Sequence, residues 1–332
     1  MLVSVDLGYG YTKAVSERGR AIFPSVVCPA PESIYEFGRS GRTGYAVEYR
    51  EMGSAVKRQV LAGELALKSG RAVRYTLARE RFDADGTALV LTAVGACLTG
   101  AEGRTELAFG LPVAYYRNQK EAVVKTFDGV GLYIRVGEEP ERFLAFTRVY
   151  VFPQAVGALY SLGRLPESGL VGLIDVGYFT TDFLLIEVFP DGFEPVPGSM
   201  SSVEMGVDTA VKLFADSFQR LTGKPLSTSE ARALWERDEV TFAGRKLAVA
   251  PLRRAACEEA GRSVAEAVQA AWATRADLLD TVLLAGGGAV EFADALRARF
   301  RHAELVQDPL FANALGFLRL AERVRAAAVQ SR

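Results

Sequence analysis

Asp6 and Asp175 each end an apolar run, and each is followed by a glycine turn and then by hydroxyl-bearing residues. The two stretches are Val5-Asp6-Leu7-Gly8-Tyr9-Gly10-Tyr11-Thr12-Lys13 and Ile174-Asp175-Val176-Gly177-Tyr178-Phe179-Thr180-Thr181-Asp182. Phosphate binding is the chemistry these residue types suit. Glycine at 8 and 10 permits a left-handed φ and a close approach of backbone to ligand, and successive N–H groups in a turn form a concave anion site. If the turn folds the chain back, Lys13 comes to the same tip as Asp6 and supplies a point charge for a phosphate oxygen. Carboxylates repel phosphate, so Asp6 and Asp175 are intelligible only with a cation between, and a hydrated Mg²⁺ is the expected one. Two such tips in one chain predict a duplicated domain closing on a single nucleotide.

Each feature also has a plainer reading. A lone G-x-G turn after a strand is more often a tight hairpin than a phosphate loop, and it is the second copy at Gly177 that turns the balance. Gly286, Gly287 and Gly288 follow an apolar run and either lie against a ligand or only lead into a helix. Asp208, after Gly206, is equally placed to touch ligand or to stabilise a helix N-terminus. Asp182 either accepts a hydrogen bond from water at the site or faces solvent. His302 is the single histidine, which leaves neither a histidine metal site nor a catalytic triad.

The elements that must hold these tips read as two α/β halves. Strands are expected over 2–7, 11–16 and 22–27, then an irregular stretch over 29–82 with the look of an insertion. A helix over 87–98, a strand over 105–111 and a helix over 117–126 resume the rhythm. A helix over 150–162, with Pro153 in its first turn, leads to the second half. There, strands over 170–175 and 180–188 and a segment over 194–200 precede a helix over 207–221. The polar stretch 227–251 resembles a second insertion. A helix over 252–273, a strand over 281–285, a helix over 291–300 and a last helix over 309–328 follow.

Composition narrows the class. The 332 residues allow two ordinary domains. A net charge of −1 gives no reason to expect direct nucleic-acid or anionic-membrane binding. Three widely spaced cysteines, Cys28, Cys97 and Cys257, lack metal-ligand spacing and suit a reducing, cytoplasmic compartment. The start reads as a strand rather than a signal peptide, and the uncharged run over 86–101 is shorter than a membrane span needs.

The chain resembles the actin/hexokinase/heat-shock-protein ATPase superfamily, and more narrowly the prokaryotic actin-like proteins of the ParM-like branch, plasmid-segregation and archaeal. The motifs that carry this are the two phosphate loops, the connecting segment Val151-Phe152-Pro153-Gln154-Ala155 and the adenosine loop Leu284-Ala285-Gly286-Gly287-Gly288-Ala289, in the family's order. Phe23-Pro24-Ser25, Gly63-Glu64-Leu65-Ala66 and Gly110-Leu111-Pro112-Val113 are weaker echoes. The resemblance implies duplicated actin-like (ribonuclease H-like) α/β domains, each a mixed five-stranded sheet with helices, plus two smaller inserted subdomains. The first half would span 1–162 with an insertion near 29–85, the second 163–308 with an insertion near 222–262, and 309–332 would return as a helix to the first half.

Carried over residue by residue, the resemblance assigns Gly8, Tyr9, Gly10, Tyr11, Thr12 and Lys13 to the phosphates, with Gly177, Tyr178, Phe179 and Thr180 closing from the other half. Gly206 and Asp208 would border ribose and phosphates, and Gly286, Gly287 and Gly288 the adenosine. Asp6 and Asp175 would serve the metal. Gln154 falls where the family places the residue that positions the attacking water; Asp182, at the end of the second loop, is a further candidate to accept a hydrogen bond from that water. ParM-like proteins often carry glutamate there, so glutamine implies either slower hydrolysis or a second residue sharing the work.

The function implied is a slow ATPase, with ATP or GTP and Mg²⁺ as cofactors, coupled to head-to-tail assembly of the chain with itself. A heterologous interface of this kind yields filaments, for DNA or plasmid segregation through a DNA-binding adaptor or for cytoskeletal scaffolding. The alternatives are a small-molecule kinase or phosphotransferase of the same superfamily, which needs a carboxylate base near the γ-phosphate, and a non-polymerising ATP-binding adaptor.

Overall fold

The computed structural model describes residues 1–31, 43–69, 73–75, 83–98, 103–154, 156–162 and 165–330. The chain divides into two compact units, one of residues 1–163 with 311–332 and one of residues 164–310. Ala155, the last residue of the connecting segment, lies outside the described residues, as do parts of the irregular stretch at 32–42, 70–72 and 76–82.

The first unit runs β1 (Leu2–Leu7), β2 (Tyr11–Ser16), β3 (Gly19–Pro24), β4 (Val26–Pro29), β5 (Gly44–Glu51), β6 (Arg58–Gly63), α1 (Glu64–Lys68), β7 (Arg74–Tyr75), α2 (Ala84–Cys97), β8 (Arg104–Leu111), α3 (Val113–Phe127), β9 (Gly131–Val136), β10 (Arg142–Pro153) and α4 (Val156–Tyr160). Every residue of β1 is buried, because the strand is paired on both edges and covered on both faces. Alternation separates the two faces. Val3, Val5 and Leu7 join a core with Leu89, Val90, Ala93 and Val94 of α2. Leu2 packs with Ala108, Tyr150 and Phe317, the last from the C-terminal helix Ala312–Gln330. Ser4, on that second face, hydrogen-bonds the Ala314 carbonyl, and Asp6 shares the face.

Five strands in the order β3-β2-β1-β8-β10 form the expected mixed sheet. β1 pairs antiparallel with β2 and parallel with β8, which pairs parallel with β10. The sheet does not stop there. The first part of the long β10 turns to pair with β9, and β9 pairs with β5, so that β5, β6, β4 and β7 extend one ten-stranded sheet. The described strands of the stretch near 29–85 thus belong to this one sheet.

Two expectations in this unit are corrected. The expected helix over 150–162 is a strand as far as Pro153, and only Val156–Tyr160 is helical. Tyr150, Val151 and Phe152 are strand formers that find partners in Ala108, Phe109 and Gly110, and pairing outweighs the helical reading. Proline, lacking an N–H, falls at the strand's end, where the loss costs least. The expected strand over 22–27 breaks at Ser25, whose N–H turns aside to the Gly10 carbonyl.

The second unit runs β11 (Gly169–Val176), β12 (Thr181–Phe189), β13 (Gly192–Pro195), β14 (Ser201–Val203), α5 (Val207–Thr222), α6 (Thr228–Trp235), β15 (Glu239–Phe242), β16 (Arg245–Ala248), α7 (Ala250–Trp272), β17 (Thr281–Ala285), α8 (Ala289–Arg299) and β18 (Ala303–Leu305). The C-terminal helix is then α9. The strand order β13-β12-β11-β17-β18 repeats the plan of the first unit, antiparallel to β12 and parallel to β17 around the central β11. Ile174 and Val176 of β11 share one core with Phe214 of α5, Val264 of α7 and Phe292 of α8. The polar stretch 227–251 is more regular than its composition suggests, holding α6 and the hairpin β15–β16.

Candidate functional site

Both hairpins close at the same register. Leu7 faces Thr12 and Val176 faces Thr181, leaving residues 8–11 and 177–180 as the tips. In each, the first glycine is needed for space: a Cβ on Gly8 would stand 2.7 Å from the Tyr11 carbonyl oxygen, and one on Gly177 2.8 Å from that of Thr180. Neither Gly8 nor Gly10 is among the described residues with left-handed φ, so at Gly8 close approach, and not handedness, is what glycine supplies.

In the first tip the Ser25 hydroxyl donates to the Gly8 carbonyl at 2.6 Å, while its N–H donates to the Gly10 carbonyl at 2.9 Å. A trans peptide sets each N–H opposite the carbonyl of the same peptide plane. The N–H groups of Tyr9 and Tyr11 therefore point away from Ser25. In the second tip α5 plays the part of Ser25. The N–H groups of Val207 and Asp208 reach the Gly177 and Tyr178 carbonyls at 3.3 and 2.8 Å, which turns the N–H groups of Tyr178 and Phe179 the other way. In both units, then, two tip carbonyls are held from outside the hairpin, by Ser25 in the first and by the start of α5 in the second.

Thr12, expected on the phosphates, is wholly buried, and its hydroxyl pairs with that of Ser25 at 2.9 Å. That contact ties β2 to the turn after β3. Ser25 was not among the expected site residues, although Phe23-Pro24-Ser25 marked the place. Tyr11 is 40 % exposed at the tip.

The carboxylates sit one residue inside each tip. Asp6 faces Lys13 across the strand pair, and Lys13 Nζ is 3.0 Å from Asp6 Oδ2. The Gln154 amide donates through Nε2 to Asp6 Oδ1 at 2.9 Å, buried and from the far end of β10. A carboxylate only accepts, so the amide must turn its NH₂ to Asp6 and leave Oε1 as its acceptor. Gln154 N also bonds the Leu111 carbonyl at 2.7 Å, which places the residue one step past the β8–β10 pairing. Asp6, Lys13 and Gln154 are thereby one cluster.

In the second unit Asp175 faces Asp182 across β11–β12, at the register that Lys13 occupies in the first hairpin. Asp175 is also paired in register with Ala285, the last residue of β17. The glycine loop follows directly: Gly286 has φ +87°, and a Cβ on it would lie 2.3 Å from Asp175 Oδ1. Gly286 N donates to the Pro309 carbonyl and Gly288 N to that of Val176, both at 2.9 Å. Asp208 is buried and paired with Lys212 at 2.7 Å. The tip at 177–180, the aspartate, the start of α5 and the glycine loop are therefore gathered at one end of the second sheet.

Among the described residues no group of three or more His, Cys, Asp or Glu side chains is placed to hold a metal. No helix of the described residues is long and apolar enough to cross a membrane.

Residues 4–157 match the family model for the N-terminal domain of actin like proteins, and residues 173–298 that for the C-terminal part of the archaeal actin homologue, MreB-like. None of the curated proteins matches the sequence. Among solved structures the fold is similar to a ParM of a 15-stranded filament from Clostridium botulinum, with a TM-score of 0.83 at 22% identity over 97% of this chain and 99% of that one. It is also similar to a non-polymerisable quadruple mutant of pCBH ParM, at 0.81 and 21% over the same shares. The archaeal actin homologue Ta0583 in complex with ADP gives 0.77 and 24%, again over 97% and 99%.

Proposed function

Because the chain belongs to the prokaryotic actin-like proteins, to whose models its two halves conform, we propose that it binds and slowly hydrolyses ATP or GTP and that nucleotide controls its assembly into filaments of its own copies. The observation that carries this is the repeated tip, in which a buried aspartate is followed two residues later by a space-limited glycine in each unit. Support comes also from the neighbours, one a filament and one an ADP complex.

The two tips cradle the β- and γ-phosphates, and the Gly286 loop takes the adenosine. Lys13 offsets phosphate charge. Asp6 and Asp175 would hold the water shell of Mg²⁺, which supplies further neutralisation of the phosphate oxygens when bound. Gln154, its NH₂ anchored on Asp6, offers Oε1 to the attacking water and aligns it with the γ-phosphorus, a contribution of position rather than of proton abstraction. Asp182 accepts the water's second hydrogen bond. A kinase needs a carboxylate base at that point, and the amide there favours hydrolysis over transfer to a substrate hydroxyl. Filaments of this kind serve to move or hold DNA through an adaptor, or to scaffold the cytoplasm.

Sedimentation and phosphate release with ATP and Mg²⁺ alone test the reading. Pelleted polymer with release of phosphate is expected. A monomer that turns over only with a hydroxyl acceptor would establish the kinase instead, and nucleotide binding with neither outcome would establish an adaptor.

A further inference from the structure

Tyr178 is gripped from outside its own hairpin. Arg232 of α6 donates through Nε to the Tyr178 hydroxyl at 2.6 Å, and its guanidinium carbon lies 4.3 Å from the centre of the same ring. Asp208 stands beside that hydroxyl. Burial pushes Tyr178 up to about 12, with Asp208 adding to the rise and Arg232 opposing it. The phenol therefore stays protonated through the neutral range. Phe179 meets the Tyr178 ring edge-on, with centroids 4.9 Å apart, so the position of one ring constrains the next residue of the tip.

Helix α6 does not need this contact for its own stability. Ser227 and Glu230 form a reciprocal cap at its start, which satisfies the first donors of the helix. Arg253 closes its end by donating to the Trp235 and Arg237 carbonyls at 2.7 and 2.9 Å. Trp235, its last residue, packs edge-on against Phe214 of α5, with centroids 5.7 Å apart. A helix capped at both ends and seated on an aromatic pair is a rigid platform. The leverage of the Arg232 contact therefore falls on the tip, a short loop whose Gly177 and Tyr178 carbonyls are held by backbone bonds from α5.

We propose that Arg232 is a positioning residue for the second phosphate loop, fixing the Tyr178 side chain and hence the direction in which the backbone N–H groups of Tyr178 and Phe179 meet phosphate. The assignment rests on the reading that the two tips bind nucleotide. It makes the 224–249 segment, which carries α6 and the β15–β16 hairpin, a determinant of nucleotide affinity without contact to the nucleotide. A planar guanidinium is required, since only it can stack on a ring and direct one N–H to the ring's hydroxyl.

The test is an equilibrium titration of the full chain with ATP and Mg²⁺, comparing Arg232→Lys, Tyr178→Phe and the double variant. Each single change should weaken ATP binding about fivefold to tenfold, and the double variant should be no weaker than either single one, because both remove the same interaction. The melting temperature of the nucleotide-free protein reports a purely structural role, and it should move little in Tyr178→Phe, which removes one oxygen. Unchanged affinity in Arg232→Lys and Tyr178→Phe, or losses that simply add, would overturn the proposal. Lys13→Ala separates this from the parent reading: if it abolishes binding while the Arg232 and Tyr178 variants bind normally, only the positioning role falls. If Lys13→Ala and Gly286→Ala bind ATP as well as the unaltered chain, the nucleotide reading and the positioning role fall together.

Discussion

Replacing Gln154 by glutamate, the residue ParM-like relatives often carry, should make this protein's stability depend on pH in a way the unaltered chain's does not. The Gln154 amide lies 2.9 Å from Asp6 Oδ1 and is 9 % exposed. Gln154→Glu exchanges that donor for a second acceptor facing the first. Two charges at this separation repel by about 6 kcal/mol at an effective dielectric constant of about 20. Holding one proton on the pair at pH 7.5 costs only about 4 kcal/mol, starting from a free glutamate pKa of about 4.3. Protonation is the cheaper way out, so about 4 kcal/mol is the ceiling on the electrostatic penalty, which Lys13 at 3.0 Å from Asp6 lowers further.

The sign follows from linkage. The folded variant binds a proton that its unfolded chain has released, so its stability falls as pH rises above the unfolded value and returns as pH falls toward it. Between pH 7.5 and 5.5 the deficit should shrink by about 2.7 kcal/mol, or 1.36 per pH unit. Gln154→Ala, which loses the hydrogen bond without adding a charge, should show a deficit of about 1 to 3 kcal/mol that is flat over the same range. Urea unfolding of both variants at the two pH values measures this. Equal and pH-independent deficits would refute the contact between Gln154 and Asp6 and, with it, the orientation assigned to the amide.

Two further outcomes follow from the geometry. Gly286→Ala places a methyl group 2.3 Å from Asp175 Oδ1 on a backbone at φ +87°, and should cost about 2 to 4 kcal/mol in urea unfolding while weakening adenine nucleotide binding; normal stability and affinity would show that the glycine loop does not lie against the aspartate. Burial, with Glu291 adding to it, pushes the Cys257 thiol up to about 12, and burial does the same to Cys97. Iodoacetamide at pH 8, read by mass spectrometry, should therefore label these two cysteines about a thousandfold more slowly in the native protein than in urea, following their thiolate fractions; comparable native and unfolded rates would contradict the burial.

Much of the site was legible because strand–turn–strand order is a local property. The strand before each turn, the tips at 8–11 and 177–180 and the turn after β17 all appear where the apolar runs and the turn residues placed them. The connecting segment misled. Tyr150, Val151 and Phe152 read equally well as buried helix or buried strand, and short apolar runs carry no period that separates the two. What decided between them was β8, whose Ala108, Phe109 and Gly110 offer parallel pairing to that run. The strands β9 and β5 escaped notice for a related reason, since their sheet depends on a partner that only the long β10 provides.

By itself, then, the order of residues determined that two α/β halves repeat one plan, that each carries an aspartate near the end of a central strand before a glycine turn, and that the family is actin-like. Tertiary structure alone decided which side chains complete those turns. Gln154 reaches Asp6 across 148 positions of sequence, Ser25 braces the first tip from the end of another strand, and Arg232 holds Tyr178 from a helix that local pattern left unassigned. Periodicity and turn chemistry act over a few residues and can be read along the chain. A hydrogen bond between distant side chains depends on strand register and helix seating, and these exist only once the sheets have paired and the cores have closed.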